Sequence, residues 1–232
     1  TVASNGQVTL GNASLTVSLK PEVASLSPSI LNVLGGTTVT LTGTGFTGAT
    51  AVKFGSADAT NVNVISNTQI TATAPAGSAG NSNVTVTTPG GTSDAAAGNQ
   101  VTYANAPNIT SLSTSSGTIG SSITINGSNF NATHGNNVVK FGTTTATTTA
   151  GSATSLTVTV PAGISGAQNI SVQDGALTSS NTAADDFAVV PTVTGLSTSS
   201  GPTAGGGSIT VTGTGFAAGA STVKFGSTNA TN

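Results

Sequence analysis

Residues 37–46 read TTVTLTGTGF, and this stretch decides the fold. Val39 and Leu41 alternate with Thr38, Thr40 and Thr42. A period of two places apolar side chains on one face of a strand and hydroxyls on the other, the pattern of a sheet with one dry and one wet face. The run ends in Gly43-Thr44-Gly45-Phe46. Glycine accepts positive φ, so the two glycines mark a tight corner, and Phe46 is set to drop into the core as the chain leaves it. The stretch recurs as SSITINGSNF at 121–130 and GSITVTGTGF at 207–216, with Ile123 and Ile125, then Ile209 and Val211, at the inward positions.

Working outward, each copy has the same opening: PEVASLSPS from Pro21, PNITSLSTS from Pro107 and PTVTGLSTS from Pro191, spaced by 86 and 84 residues. Each is followed by VKFG, at 52–55, 139–142 and 223–226. Alternation there points Val and Phe inward and Lys outward. The first two copies continue in parallel, TQITATAP (68–75) with TSLTVTVP (154–161), NVTVTTPGG (83–91) with NISVQDG (169–175), and NQVTYA (99–104) with DDFAVV (185–190). Self-similarity at a fixed period signals a repeat architecture. Short alternating strands with turn signals between them read as a β-sandwich. No stretch has helical periodicity. The expected division is an N-terminal strand segment over 1–20, a repeat over 21–106, a second over 107–190 and the first half of a third over 191–232.

Composition narrows the function classes. Charged residues make up 4% of the chain, against about 25% in an ordinary domain. The net charge of −2 and the recurrent Val, Ile and Thr argue for strands rather than disorder. Four Lys without a basic cluster build no phosphate-tracking surface, so neither nucleic acid nor an anionic membrane is an expected partner. A near-neutral surface favours self-association, with weak dependence on salt. The chain has no Cys, which excludes disulfides and thiolate metal sites, and no Met, which suits exposure to oxidants. No run is long and apolar enough for a membrane helix, and the start at Thr1 reads as a processed or partial chain.

The ordered set SLSPS, GGTTVTLTGTGF, VKFG, TQITATAP and NVTVTTPGG resembles the IPT/TIG domain, an immunoglobulin-like module of plexins, some transcription factors and many bacterial surface proteins. The resemblance covers 21–190 as two full repeats and 191–232 as half of another. It implies an all-β fold of tandem immunoglobulin-like β-sandwiches of E-set type, about seven strands each, in an elongated array. It implies no single function, because the family serves as spacer, dimerisation, DNA-binding and receptor-stalk modules. The DNA-binding branch relies on basic loops that this chain lacks.

The two ends do not match a whole number of repeats. The third repeat stops shortly after VKFG, which leaves unpaired edges and an open core. Ahead of the first repeat, QVTL (7–10) and SLTVSL (14–19) stand where the last two strands of a preceding domain belong. Val8 and Leu10 alternate, as do Leu15, Val17 and Leu19. Two readings stay open. The chain is a window of a longer tandem array, or the open half-domain of one subunit takes strands 1–20 of the next, a head-to-tail contact that builds filaments. The candidate interface is then Val8, Leu10, Leu15, Val17 and Leu19 against Ile209, Val211, Phe216, Val223 and Phe225. Counting tempers the second reading, since the two ends together fall about two dozen residues short of a full repeat.

Reactive chemistry is sparse. His134, the only histidine, lies in the loop NATHGNN with no second His or Cys to form a ligand pair, and reads as a solvated loop residue. Asp185 and Asp186 adjoin a domain end, where calcium sites occur, but only Asp174, and Asp94 in the other repeat, are further candidates, and calcium takes six to eight oxygens. The run GPTAGGGS (201–208) lacks the Lys-Ser/Thr terminus of a phosphate loop and precedes a strand. Sugar binding usually uses aromatic platforms, which the absence of Trp disfavours, and an outward Lys53 or Lys140 does not suit an isopeptide link. Asn-x-Ser/Thr acceptors occur at Asn12, Asn83, Asn108, Asn126, Asn131, Asn169 and Asn229, with Asn83 and Asn169 at equivalent strand starts. In a chain this rich in Asn, Ser and Thr they arise by chance or mark a glycan coat that replaces charge. The chain is therefore expected to be non-catalytic, without cofactor or metal, and extracellular or on the cell surface. It reads as a structural subunit of a filament or appendage whose partner is itself. The alternatives are a spacer in a longer adhesin or ligand-binding protein, and an accessory region of a secreted polysaccharide enzyme.

Overall fold

The computed structural model describes residues 7–10 and 13–16 by their backbone, and residues 19–231. Two short strands come first. β1 (Gln7–Leu10) and β2 (Ala13–Thr16) form an antiparallel hairpin with Val8 opposite Leu15 and Leu10 opposite Ala13.

The first repeat follows as ten strands: β3 (Glu22–Ser27), β4 (Ile30–Asn32), β5 (Thr38–Thr44), β6 (Ala51–Phe54), β7 (Ala57–Asp58), β8 (Thr60–Ser66), β9 (Gln69–Thr73), β10 (Gly80–Thr88), β11 (Gly91–Thr92) and β12 (Gln100–Ala104). They make two sheets, β3-β5-β9-β8 and β4-β12-β10-β6-β7, with β11 pinned to β10. Two-residue bridges such as β7 and β11 take the count above the seven expected. Val39, Leu41, Ile70 and Ala72 of one sheet face Val52, Phe54, Val84 and Val86 of the other in a closed core. The Thr residues of β5 alternate with them, as the period of two requires.

The second repeat repeats this strand for strand: β13 (Asn108–Leu112), β14 (Ser116–Gly117), β15 (Ser122–Ser128), β16 (Asn137–Phe141), β17 (Thr144–Thr145), β18 (Thr147–Gly151), β19 (Ser155–Thr159), β20 (Ala167–Asp174), β21 (Leu177–Thr178) and β22 (Asp186–Val189). Its sheets are β13-β15-β19-β18 and β14-β22-β20-β16-β17. Ile123, Ile125, Val139, Phe141, Leu156, Val158, Ile170 and Phe187 form its own core. The only helical turns among the described residues are single 3₁₀ turns at Ala97–Asn99, His134–Asn136 and Ala183–Asp185.

The third repeat has β23 (Thr192–Leu196), β24 (Val211–Thr214), β25 (Lys224–Phe225) and β26 (Thr228–Asn229), paired as two separate two-stranded sheets. The strand expected from Gly207 begins only at Val211, and Ile209 lies outside it. In the complete repeats the corresponding strand is held on both edges, β5 between β3 and β9 and β15 between β13 and β19. Here β24 has β23 alone, which explains its shorter span. The chain divides into two compact units, Thr1–Asn105 and Ala106–Asn232.

The corner that ends each long strand is built differently from the sequence expectation. Gly43, Gly127 and Gly213 are not the positive-φ residues; Gly45 (φ 73), Asn129 (φ 59) and Gly215 (φ 74) are. The first glycine is needed for space instead. A Cβ on Gly43 would stand 1.9 Å from the Glu22 carbonyl oxygen and 2.6 Å from Cζ of Phe46. On Gly127 the same two distances are 2.1 Å to Asn108 and 2.4 Å to Phe130, and on Gly213 they are 2.0 Å to Thr192 and 2.6 Å to Phe216. Asn replaces Gly at the second position because it tolerates the left-handed region.

Candidate functional site

The feature that departs most from a closed sandwich is the apolar face of residues 191–231. Position by position, its large side chains match core residues of the complete repeats. Val193, Leu196, Phe216, Val223 and Phe225 are 58%, 51%, 38%, 41% and 56% exposed. Their counterparts Ile109, Phe130, Val139 and Phe141 in the second repeat are exposed by 4% or less, and Leu112 packs partly buried against the same core. The strands that cover those residues, β18, β19, β20 and β22, have no counterpart between Pro191 and Thr231 in the described pairings. The free edge of β24 is the one that β19 occupies on β15, and the free edge of β25 is the one that β20 occupies on β16.

Val211, Phe216 and Val223, three of the expected interface residues, line one open cavity of about 500 Å³ with Val189, Val193 and Lys224. Ile209 is half-buried and Phe225 exposed, and neither belongs to that lining. Val193 and Leu196 are absent from the interface expected from sequence, although their place in the PTVTGL opening matches Val23 and Leu26 in the first repeat. On the N-terminal side, Val8, Leu10 and Leu15 lie on the β1–β2 hairpin, Leu19 is exposed, and Val17 lies outside the described residues.

At each repeat the corner closes on the residues that enter it. A Cβ on Gly45 would come within 3.2 Å of Cα of Pro21. Asn129 donates from Nδ2 to the Ala106 carbonyl at 3.2 Å. A Cβ on Gly215 would lie 3.1 Å from Val189 and 3.2 Å from the Val190 carbonyl oxygen.

The acceptor asparagines differ in their surroundings. Asn83 and Asn169 lie within β10 and β20, not at their starts. Asn169 donates from Nδ2 to Asp185 at 2.6 Å and Asn181 at 2.9 Å, and the Oδ1 of Asn83 is buried without a partner. Asn126 donates to Ser111 and Asn131 to Asp174. Asn108 and Asn229 are exposed, and Asn12 lies outside the described residues.

The acids serve local structure. Asp185, fully buried, accepts from the Thr182 backbone and from Asn169, and Asn99 holds the same position in the first repeat by accepting from the Ala96 backbone. Asp174 meets Asn131 instead of the Asp185–Asp186 pair. Asp58 pairs with Lys53 at 2.7 Å, and Asp94 with Lys20. His134 is exposed. The described residues contain no group of three or more His, Cys, Asp or Glu side chains placed to hold a metal ion, and no helix long and apolar enough to cross a membrane. Burial raises the Tyr103 phenol above its ordinary pKa, and its hydroxyl donates to the Pro75 carbonyl at 2.9 Å.

The model of the IPT/TIG domain matches residues 21–103, 107–188 and 191–232. The chain belongs to the IPT/TIG family. Among solved structures it is similar to the full extracellular region of plexin A4, domains 1 to 8, at 20% identity over 79% of this chain and 20% of that one, with a TM-score of 0.42. It is also similar to SGBP-B of the Bacteroides ovatus mixed-linkage glucan utilization locus, in complex with a mixed-linkage heptasaccharide. That match has 19% identity over 75% of this chain and 46% of that one, with a TM-score of 0.35. The surface glycan-binding protein PbSGBP-B of Prevotella bryantii matches at 19% identity over 71% and 42%, with a TM-score of 0.33. The chain spans between a fifth and under half of the length of these proteins. No curated protein matches it by sequence.

Proposed function

We propose that this IPT/TIG array is a non-catalytic structural segment of an extracellular or cell-surface assembly, a stalk that holds its ends apart. The observation that carries the reading is the corner of every repeat, which is packed or hydrogen-bonded against the residues entering that repeat, at Gly45, Asn129 and Gly215. Such a corner leaves few free linker residues ahead of each repeat, which supports the spacer reading. Small-angle scattering of the purified chain tests this. A maximum dimension close to the summed lengths of the repeats supports it, and a compact particle overturns it. The exposed amides of Asn108 and Asn229 are the positions proposed to carry glycans, and intact-mass measurement on the native protein checks them.

A finer reading is favoured by the exposed half-core of residues 191–231. It makes the chain a filament subunit, with the β1–β2 hairpin of one copy laid on the free edges of β24 and β25 in the next. Burying Val193, Phe216, Val223 and Phe225 would drive the contact, since apolar area removed from water contributes about 25 cal/mol per Å². Continuation of the same chain would cover that face equally well and keep the segment a stalk. Electron microscopy separates the two: uniform fibres support subunit completion, and monomeric rods argue against it. Fibres that persist after deletion of residues 1–20 would rule out donation by the hairpin.

A further inference from the structure

We infer that the first repeat carries a mechanical clamp, the parallel ladder between β4 and β12, and that the second repeat carries a shorter one; the inference rests on the reading of the chain as a stalk under tension. In the first repeat the chain enters through β3 and β4 and leaves through β12. β4 and β12 run parallel, with Ile30 beside Thr102, Leu31 beside Tyr103 and Asn32 beside Ala104. Tension on the two ends of the repeat draws β4 backward and β12 forward along a common axis. All the hydrogen bonds of the ladder then bear load together, in shear, whereas a pair of strands peeled from one end gives way bond by bond. Forced unfolding is governed by the unfolding barrier rather than by equilibrium stability, so the few bonds of this ladder weigh more under force than their number suggests.

The ladder extends beyond the three registered pairs. The Thr102 N–H donates to the Ser29 carbonyl at 2.7 Å, and the Val33 N–H donates to the Ala104 carbonyl at 3.1 Å. Behind it, Leu31 is fully buried, and Tyr103 is tied to the loop between β9 and β10 through Pro75. The second repeat has two registered pairs, Ser116 beside Ala188 and Gly117 beside Val189. They are flanked by Ala188 donating to Ser115 and Val190 donating to Gly117, both at 2.8 Å. Gly117 offers no side chain to the core, and Val189 has no hydroxyl to match that of Tyr103. The antiparallel entry strands are closer to equal, five registered pairs for β3 with β5 against four for β13 with β15.

Single-molecule pulling on the full chain, tethered at its two ends, tests the inference. Two unfolding events of similar contour length are expected, at two distinct forces. The chain has no native cysteine, so Ile30→Cys with Thr102→Cys places one disulfide across the clamp. On oxidation the higher-force event should disappear, and reductant should restore it. Thr102→Pro removes the donor to Ser29 and should speed forced unfolding of the first repeat roughly tenfold, about the loss of one or two backbone hydrogen bonds. Loss of the lower-force event on oxidation, or two events at one force, would overturn the clamp. Locating the native protein separates the two ideas: a clamp in a protein confined to the cell interior leaves the clamp standing and removes the stalk. Surface display with two weak, equal events does the reverse.

Discussion

The first and second repeats solve one packing problem in two ways. In the first, the core beneath the parallel ladder is filled from β4 by Leu31, with Val101 on the neighbouring strand β12. In the second, Gly117 stands on β14 and Phe187 on β22 supplies the bulk. The Phe187 ring packs edge-on to Phe141 with centroids 5.4 Å apart. A Cβ on Gly117 would approach Phe187 to 3.1 Å. Bulk has moved from one strand to its neighbour, which keeps the site beneath the ladder filled, as close-packed interiors require. The exchange costs the second repeat its apolar anchor on the short strand, and the ladder there is shorter. The third repeat extends the contrast, because among the described residues no buried apolar core residue lies beyond Val189.

The corner glycines offer the largest effect. Gly127→Ala forces a Cβ against the Asn108 carbonyl and the Phe130 ring, and should cost the second repeat roughly 4 kcal/mol. Gly135→Ala, in the same repeat but with nothing within 4 Å of its Cβ, should change stability by less than about 0.5 kcal/mol. Thermal unfolding should show one transition lowered by the first substitution and neither moved by the second. Gly213→Ala meets the same backbone crowding at 2.0 Å, yet should leave both transitions in place, since the third repeat has no closed core to lose. A shift in either would show that residues 191–231 contribute to the cooperative unit.

Next in size is the contrast between filled and open cores. Phe141→Ala empties a fully buried site and should cost about 3 kcal/mol. Phe225→Ala, at the matching position but 56% exposed, should cost less than about 0.5 kcal/mol in the isolated chain. If it costs several, the third repeat is already covered in solution, and the same measurement over a range of protein concentrations tells whether the cover is another copy.

Much of this is legible in the sequence, for a local reason. Alternation in TTVTLTGTGF and VKFG fixes which face is buried, so the inward positions of β5, β6, β15 and β16 follow from neighbours along the chain. The openness of the third repeat follows from counting strands. What the sequence hides depends on contacts between distant residues. The crowding at Gly43 comes from Glu22, on another strand. The pairing of Ile30 with Thr102 joins the two ends of a repeat, and SPSIL gives no sign of it. Asn99 and Asp185 open stretches that read as strands, and instead they close 3₁₀ turns. Asn83 and Asn169 carry the acceptor motif at expected strand starts, whereas their neighbours across the sheet bury or bind the amides.

Tyr103 provides the smallest test and the one most specific to the first repeat. Its hydroxyl bond to Pro75 contributes about 1 kcal/mol, so Tyr103→Phe should lower the first transition slightly and leave the second unmoved. Its pKa is raised by burial. Below about pH 10 the phenol is protonated in both folded and unfolded chains, and its contribution is fully present. Above that, the unfolded chain releases the proton while the folded one keeps it. The unfolded state then binds fewer protons, and stability falls as pH rises through the folded-state pKa. The comparison is made against the Phe variant, which cancels any alkaline effect common to both chains. Denaturant unfolding at about pH 9 and about pH 11 should show the first repeat losing more stability with Tyr103 than with Phe. The second repeat has no tyrosine, so its alkaline response should be the same in both chains. An alkaline loss that survives unchanged in the Phe variant would show that the effect does not come from Tyr103.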